Sequence, residues 1–312
     1  MNVRLLAAAA VLGFFTSPVP AADPQLTGLV MPGAKVLAGV NVEQAKASPF
    51  GQYVLARLQQ NEQGLQQLLD ATGFDPRRDV REVLVASLDN PASRTGGLAM
   101  VLGTFDVTRI AAAAQTHGQT VETAGGVTFL SGSKKNGAVA FLSSSLAVAG
   151  PADEVRAAVD RRNSPAPLDT ALAVKMNQLS TTQDAWIVSL VPPSVSAARL
   201  PDPTLQGLLN SDLLAGIQQS SAAVKFGVNV DVTAEALAAS PQDASALATI
   251  IRFLAGMAQS NSQGTTAASL LKGLSVTTEG NAVRLALSIP EDMLEQLAQP
   301  HAASGASARH RR

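Results

Sequence analysis

The apolar positions change period several times along the chain, and each change marks an element. In MPGAKVLAGVNV, Val36, Val40 and Val42 alternate with a period of two, which predicts a strand over Lys35–Val42. From Glu43 the period lengthens: Phe50, Val54, Leu55 and Leu58 fall on one helical face of EQAKASPFGQYVLARLQQ. A second helix, EQGLQQLLDATGF, carries Leu65, Leu68 and Leu69 on one stripe and stops at Gly73. FDPRRDV reads as a turn, REVLVASL as a strand, DNPASRTGG as a turn and GLAMVLGTF as the returning strand. Asp106 is placed to cap a helix in DVTRIAAAAQTHG, with Gly118 as its stop. Short strands follow at VTFLSG, AVAFLS and SLAVAG. PADEVRAAVDRR, with Pro151 at its first position, is a helix.

RRNSPAPLD is rich in turn formers and reads as a linker. Beyond it come a helix in LDTALAVKMNQL, a strand in DAWIVSLVP, helical PSVSAARL and TLQGLLNSDLLAGIQQ, and one long strand, AAVKFGVNVDV. SPQDASALATIIRFLAGMAQ is a helix with Ser240 as cap, Pro241 at N1 and Asp243 completing a capping box. A hairpin, LSVTTEGNAVRLALSI, turns at Glu279-Gly280-Asn281, and PEDMLEQLAQ closes the pattern as a helix.

The element order repeats. SLAVAGPADEVRAAV sets Leu146, Val148, Pro151 and Asp153 against Leu285, Leu287, Pro290 and Asp292 of RLALSIPEDMLEQLA. The expected fold is therefore α+β in two related halves, residues 23–163 and 164–300, each an antiparallel-rich sheet covered by helices.

The first 22 residues stand apart. Arg4 precedes an apolar run from Leu5 to Phe15, and small residues lead to a cut after Ala21 or Ala22, as in a secretory signal peptide. The run is far shorter than the ~20 residues a membrane-crossing helix needs. The expectation is an exported, periplasmic or secreted protein with no transmembrane span in its mature chain. Cysteine is absent, so no disulfide and no acylated cysteine is available, and a hydrophobic core must hold the fold. Formal charge is −1 overall; loss of Arg4 makes it −2, and setting aside Arg309, Arg311 and Arg312 leaves −5. Residues 301–312 thus read as a disordered basic tail on a mildly acidic body. Aromatic residues make up 4% of the chain, too few for base-stacking platforms, so nucleic acid is not an expected partner. An envelope protein, a glycan or a lipid fits better.

Catalytic motifs are weak. Ser131–Lys134 matches Ser-x-x-Lys, but within a glycine-rich turn between strands and with no Lys-Thr-Gly or Ser-Asp-Asn partner. His117 sits at a helix end, where it complements the dipole, and His301 and His310 fall in the tail. No Gly-x-Ser-x-Gly elbow, phosphate loop or metal-ligand spacing is present, and no cofactor is expected. Asp153/Glu154 and Glu291/Asp292 open helices, and Trp186, Phe226 and Phe253 read as core. FDPRRDVREV is the densest charge cluster. Its acids nearly balance its bases, so it reads as a structural turn, with Arg77, Arg78 and Arg81 as a candidate surface contact.

The segments MPGAKVLAGVNVEQAKASPFGQYVL, TGFDPRRDVREVLVAS and GLAMVLGTFDVTRIAAAA, behind a signal peptide, resemble uncharacterised bacterial exported proteins built as tandem α/β repeats. The shared features are the turn Gly73–Asp79 and the step Gly103–Asp106, both structural; the resemblance implies no activity. The expected role is a non-catalytic binding or envelope-associated protein. A carrier or sensor of a hydrophobic ligand is one alternative, and a hydrolase with a non-linear active site is another.

Overall fold

The structure, a computed structural model, describes residues 22–52, 63–89, 97–132, 136–193, 212–261, 266–290 and 293. Its strands form one sheet of twelve, in the order β11-β12-β10-β9-β8-β1-β2-β3-β7-β6-β5-β4, with every neighbouring pair antiparallel. The strands are β1 Val36–Asn41, β2 Val80–Ser87, β3 Gly97–Gly103, β4 Thr120–Ala124, β5 Val127–Ser131, β6 Gly137–Phe141, β7 Leu146–Pro151, β8 Ala185–Ser189, β9 Gln219–Phe226, β10 Asn229–Leu237, β11 Ser275–Glu279 and β12 Ala282–Pro290. The helices are α1 Pro24–Thr27, α2 Val42–Ala47, α3 Gln63–Thr72, α4 Pro76–Asp79, α5 Val107–Thr116, α6 Ala152–Arg161, α7 Thr170–Ser180, α8 Asp212–Ala215, α9 Pro241–Asn261 and α10 Thr266–Lys272. The fold class is α+β.

The first and second parts of the chain meet where β1 pairs with β8, from Val36↔Ser189 to Val40↔Ala185. Bonds just outside the ladder lengthen this seam: Leu190 N–H donates to Lys35 O at 2.8 Å and Asn41 N–H to Asp184 O at 2.8 Å. Gly39 lies opposite Trp186, whose indole covers the space where a side chain would stand; a Cβ there would lie 2.5 Å from the ring. The buried Asp184 carboxylate accepts from Lys225 Nζ at 2.7 Å and Phe226 N at 2.6 Å.

Strand alternation sends side chains to two faces. On one face, Leu84, Met100 and Val148 align across β2, β3 and β7, all fully buried beneath α1, α6 and α7. On the other, Val101, Ala147, Val139 and Leu130 lie under α3 and α5. Further along that second face, α9 packs Leu247 and Ala248 on Val283. The seam's own core continues onto β9 through Ala223.

Most predicted elements form where the period places them. Asp106 accepts from Arg109 N–H at 3.0 Å as the α5 cap, and Gly73 and Gly118 both take φ +72 to end α3 and α5. Ser240 accepts from Asp243 N–H at 3.1 Å, closing the capping box of α9. Three readings change. AAVKFGVNVDV is a hairpin rather than one strand: β9 and β10 pair around Gly227 and Val228, because the apolar alternation runs unbroken through the turn. Pro151 is the N-cap of α6, one residue before the first position. Phe253 is not core: it lies on the far side of α9 from Ala244, Leu247 and Ala248, and is 54% exposed. Strand β4 and helices α1 and α10 are additions to the predicted elements. Val54, Leu55, Leu58, the turn at 90–96, residues 194–211 of the PSVSAARL and TLQGLLNSDLLAGIQQ segments, the final helix from Glu291 apart from Met293, the signal segment 1–21 and the tail 301–312 lie outside the described residues.

Gly39→Ala forces the new methyl into the indole of Trp186 at the seam. It should lower the unfolding free energy by about 1–3 kcal/mol in chemical denaturation, the usual range for overpacking. Gly132→Ala, where nothing lies within 4 Å, is the control and should change stability little.

Candidate functional site

Helices α3 and α5 lie side by side over the second sheet face, and local chemistry fixes one end of the pair. Helix α3 ends at Gly73, and FDPRRD follows as the single turn α4. Asp75 caps that turn, accepting from Arg77 N–H at 3.0 Å, with Pro76 at a position that has no donor to satisfy. The same carboxylate takes Arg77 Nε and Nη2, both at 2.9 Å. Asp79 receives Arg78 Nε at 2.7 Å and Nη2 at 2.8 Å, and the Asp75 amide at 2.8 Å. Arg78 also donates to Gly73 O at 3.1 Å. Arg109 of α5 donates to Asp70 O at 3.0 Å, tying α5 to the last turn of α3. Lys46 reaches the carbonyls of Arg77 at 2.7 Å and Val80 at 3.0 Å.

The helices do not fill the face they cover. Between α3, α4, α5 and the strands is a cleft of ≈ 380 Å³ with no polar atom exposed on its wall. Phe74, Phe105 and Phe141 form one side: the first two rings are 5.6 Å apart, and Phe105 meets Phe141 edge-on at 5.3 Å. Val83, Val101 and Val139 form the floor, and Leu68 and Ile110 descend from the helices. Thr72 also lines it, yet its hydroxyl donates to Leu68 O at 2.6 Å and accepts from Phe74 N–H at 3.1 Å. Only its methyl is left for the cleft. Leu68 is 37% exposed, an unusual position for a leucine that points toward a sheet.

A second chamber of ≈ 390 Å³ adjoins the first and shares Leu68, Thr72, Ile110 and Leu130 with it. Its outer part is polar: Gln67, His117 and Gln119 line it with Ala71, Ala113 and Ala114. His117 is the C-cap of α5, and its Nδ1 lies 2.8 Å from Ala113 O; a carbonyl only accepts, so Nδ1 carries the proton.

The sequence candidates are placed as follows. Arg77 and Arg78 are both engaged by carboxylates in the turn that holds the end of the cleft. Arg81 is exposed and is the extra residue of a β-bulge, where the β2–β3 register shifts between Val80 and Glu82. The three arginines therefore do not converge on one anion position. Ser131 ends strand β5, while Lys134 lies outside the described residues. Asp153 and Glu154 sit in the first turn of α6; Glu291 and Asp292 are outside the described residues. Trp186 is buried in β8, and Phe226 stacks on Phe50 at 5.5 Å. Among the described residues, no three or more His, Asp or Glu side chains are grouped to hold a metal ion.

A polar hollow of ≈ 330 Å³ lies on the first sheet face, between α7 and strands β9, β10, β11 and β12. Lys175 meets Glu235 there at 2.6 Å, Arg284 meets Glu235 at 2.9 Å, and Arg284 also pairs with Glu279. Burial pushes the Glu235 carboxyl up, but hydrogen bonds from Lys175 and Arg284 more than offset this and hold it below the usual range. These charges satisfy one another and leave little field for a ligand.

No protein-family model and no curated protein matches the chain. Among solved structures it is similar to TP0453, a Treponema protein. Crystal form III aligns over 88% of this chain and 98% of that one, with 12% identity and a TM-score of 0.51. Form IV aligns over 87% and 95%, with 12% identity and a TM-score of 0.50. At this identity the likeness is one of fold. No described helix is long and apolar enough to cross a membrane.

The paired turn sets a pH dependence. Side-chain hydrogen bonds from Arg77 and Arg78 hold the Asp75 and Asp79 carboxyls below the usual range. Their contribution is complete above the unfolded aspartate value of about 3.9 and is lost as pH falls through the lower folded values. Glu82 works in the opposite sense: burial raises it, so its contribution is lost as pH rises through the folded value. Unfolding free energy, followed by denaturant titration, should drop on acidification below about pH 4. The Asp75→Asn/Asp79→Asn double variant should be less stable at neutral pH and show a shallower drop.

Proposed function

We propose that this chain is an exported, non-catalytic binding protein that carries or senses an apolar ligand in the cleft under α3 and α5. The observation that carries this reading is the cleft itself: ≈ 380 Å³, open beside a second chamber, with a wall free of exposed polar atoms. Ligand sites for small molecules fall in the range of about 300–1,000 Å³ and are mostly apolar. A cleft of this size in an otherwise packed core forfeits contacts that a filled core would make; a ligand restores them. The turn Asp75–Asp79 and Arg109 fix one end of the helix pair and so support a preformed site.

Export rests on the signal-like first 22 residues. The packing around Ala22 favours the cut after Ala21: Ala22 is buried against the core, and its amide donates to Ser180 Oγ at 3.1 Å. The hydrolase alternative draws no comparable support from the positions of Ser131 and His117.

The two halves read as a duplication, supported by strand order. Outward from the seam, β1 is followed by β2, β3, β7 and β6, and β8 by β9, β10, β12 and β11. The residue match of Leu146 with Leu285 and Val148 with Leu287 does not fit this relation. Leu146 and Val148 face α1, α6 and α7, whereas Leu285 and Leu287 share the face of Val283, under α9. The correspondence has to shift by one residue.

The test is binding of an apolar naphthylamine dye to the exported protein, whose intact mass should begin at Ala22. The dye should fluoresce on binding and be displaced by single-chain lipids. Val101→Phe and Val139→Phe, which fill the floor, should each weaken it at least ~10-fold, the equivalent of about 1.4 kcal/mol, with unchanged circular dichroism. Equal dye binding by both folded variants would refute the site.

A further inference from the structure

The cleft has two unlike ends, and this asymmetry restricts what fits. The inner chamber, between Phe74, Phe105 and Phe141, offers no hydrogen bond at all. The outer chamber ends at Gln67, His117 and Gln119. The two share Leu68, Thr72, Ile110 and Leu130, so one molecule can run through both. Geometry thus calls for a ligand with an apolar chain and one polar end.

The charge around the polar end narrows the class further. No Asp, Glu, Lys or Arg lines either chamber among the described residues. The charged groups on α3, α5 and β4 are committed elsewhere. Asp70 of α3 is bonded by Gln66 at 2.8 Å. Arg109 sits at the far end of α5 on Asp70 O. Glu122 of β4 points to the opposite sheet face, paired with Arg156 at 3.0 Å. What does face the outer chamber is the C-terminal end of α5, whose carbonyls carry the negative end of the helix dipole. An anionic head is repelled there and, among the described residues, meets no Lys or Arg. Amide side chains and an imidazole, each able to donate and accept, suit hydroxyl groups.

We propose that the ligand is a single-chain amphiphile with an uncharged, hydroxyl-bearing head, such as a monoacylglycerol. The chain lies among Phe74, Phe105 and Phe141, and the head lies beside Gln67, His117 and Gln119. This deepens the apolar-ligand reading and rests on it.

The experiment is dye displacement from the mature chain at pH 8, where dodecanoic acid is ionised. The competitors are the octanoyl, decanoyl and dodecanoyl monoglycerides, dodecanol and dodecanoate, all below their micelle concentrations. Each added methylene should tighten monoglyceride binding about 4-fold until the inner chamber is full. Dodecanoyl monoglyceride should outcompete dodecanoate by at least ~10-fold. Gln119→Leu should weaken monoglyceride binding and so narrow that preference, with a smaller effect on dodecanol, whose head has one hydroxyl. Dodecanoate binding as tightly as the monoglyceride, or a preference untouched by Gln119→Leu, would overturn the head assignment and leave the cleft standing. Failure of every chain to displace the dye would overturn both.

Discussion

A strand that is apolar on both faces must be covered twice, and the middle of this sheet is built from such strands. In β3, Leu98, Met100 and Leu102 point one way and Ala99 and Val101 the other. Parallel sheets meet this demand with crossover helices on each face. Here an antiparallel sheet meets it by sending α1, α6 and α7 to one side and α3, α5 and α9 to the other. Over β2, β3 and β7 the first side is closely packed: Leu84, Leu98, Met100 and Val148 are fully buried. Among the described residues, the second is covered less well over β2, β3, β6 and β7. Helix α5 gives the cleft only Ile110, while Ala114 packs in the cluster with Leu130, Phe141 and Ala147. The cleft is the space left between these helices and an apolar sheet.

That arrangement needs something other than apolar packing to hold the helices. Polar anchors do this at one end. The turn Asp75–Asp79 satisfies both its arginines internally and returns Arg78 to Gly73 O, while Arg109 bonds the last turn of α3. Such bonds are worth more when one partner is charged. They give α3 and α5 a fixed hinge-end without filling the space between them. The charge-rich stretch FDPRRDVREV therefore works as scaffold for the cleft rather than as its binding surface.

The sequence disclosed elements better than it disclosed the site. β2, β3, α5 and α9 were legible because period, cap and stop agree, as at Asp106 and Gly118 or Ser240 and Asp243. The β9–β10 hairpin was hidden because alternation continues through Gly227 and Val228. The β4 strand, TVETA, is mostly polar and exposed on an edge, so it carries little apolar signal. Phe74 and Phe105 fall at the ends of segments read as a helix, a turn and a strand, with nothing to mark them as neighbours. What no linear pattern carries is which helix lies over which face, and how far short of the floor its side chains fall.

The most direct test of an unfilled apolar cleft is independent of any ligand. Xenon enters apolar cavities that stay dry, so a crystal of the protein pressurised with xenon reports the space itself. The account predicts xenon between Phe74, Phe105 and Phe141, over Val101 and Val139. A pressurised crystal with side chains closed over those positions and no xenon there would contradict it.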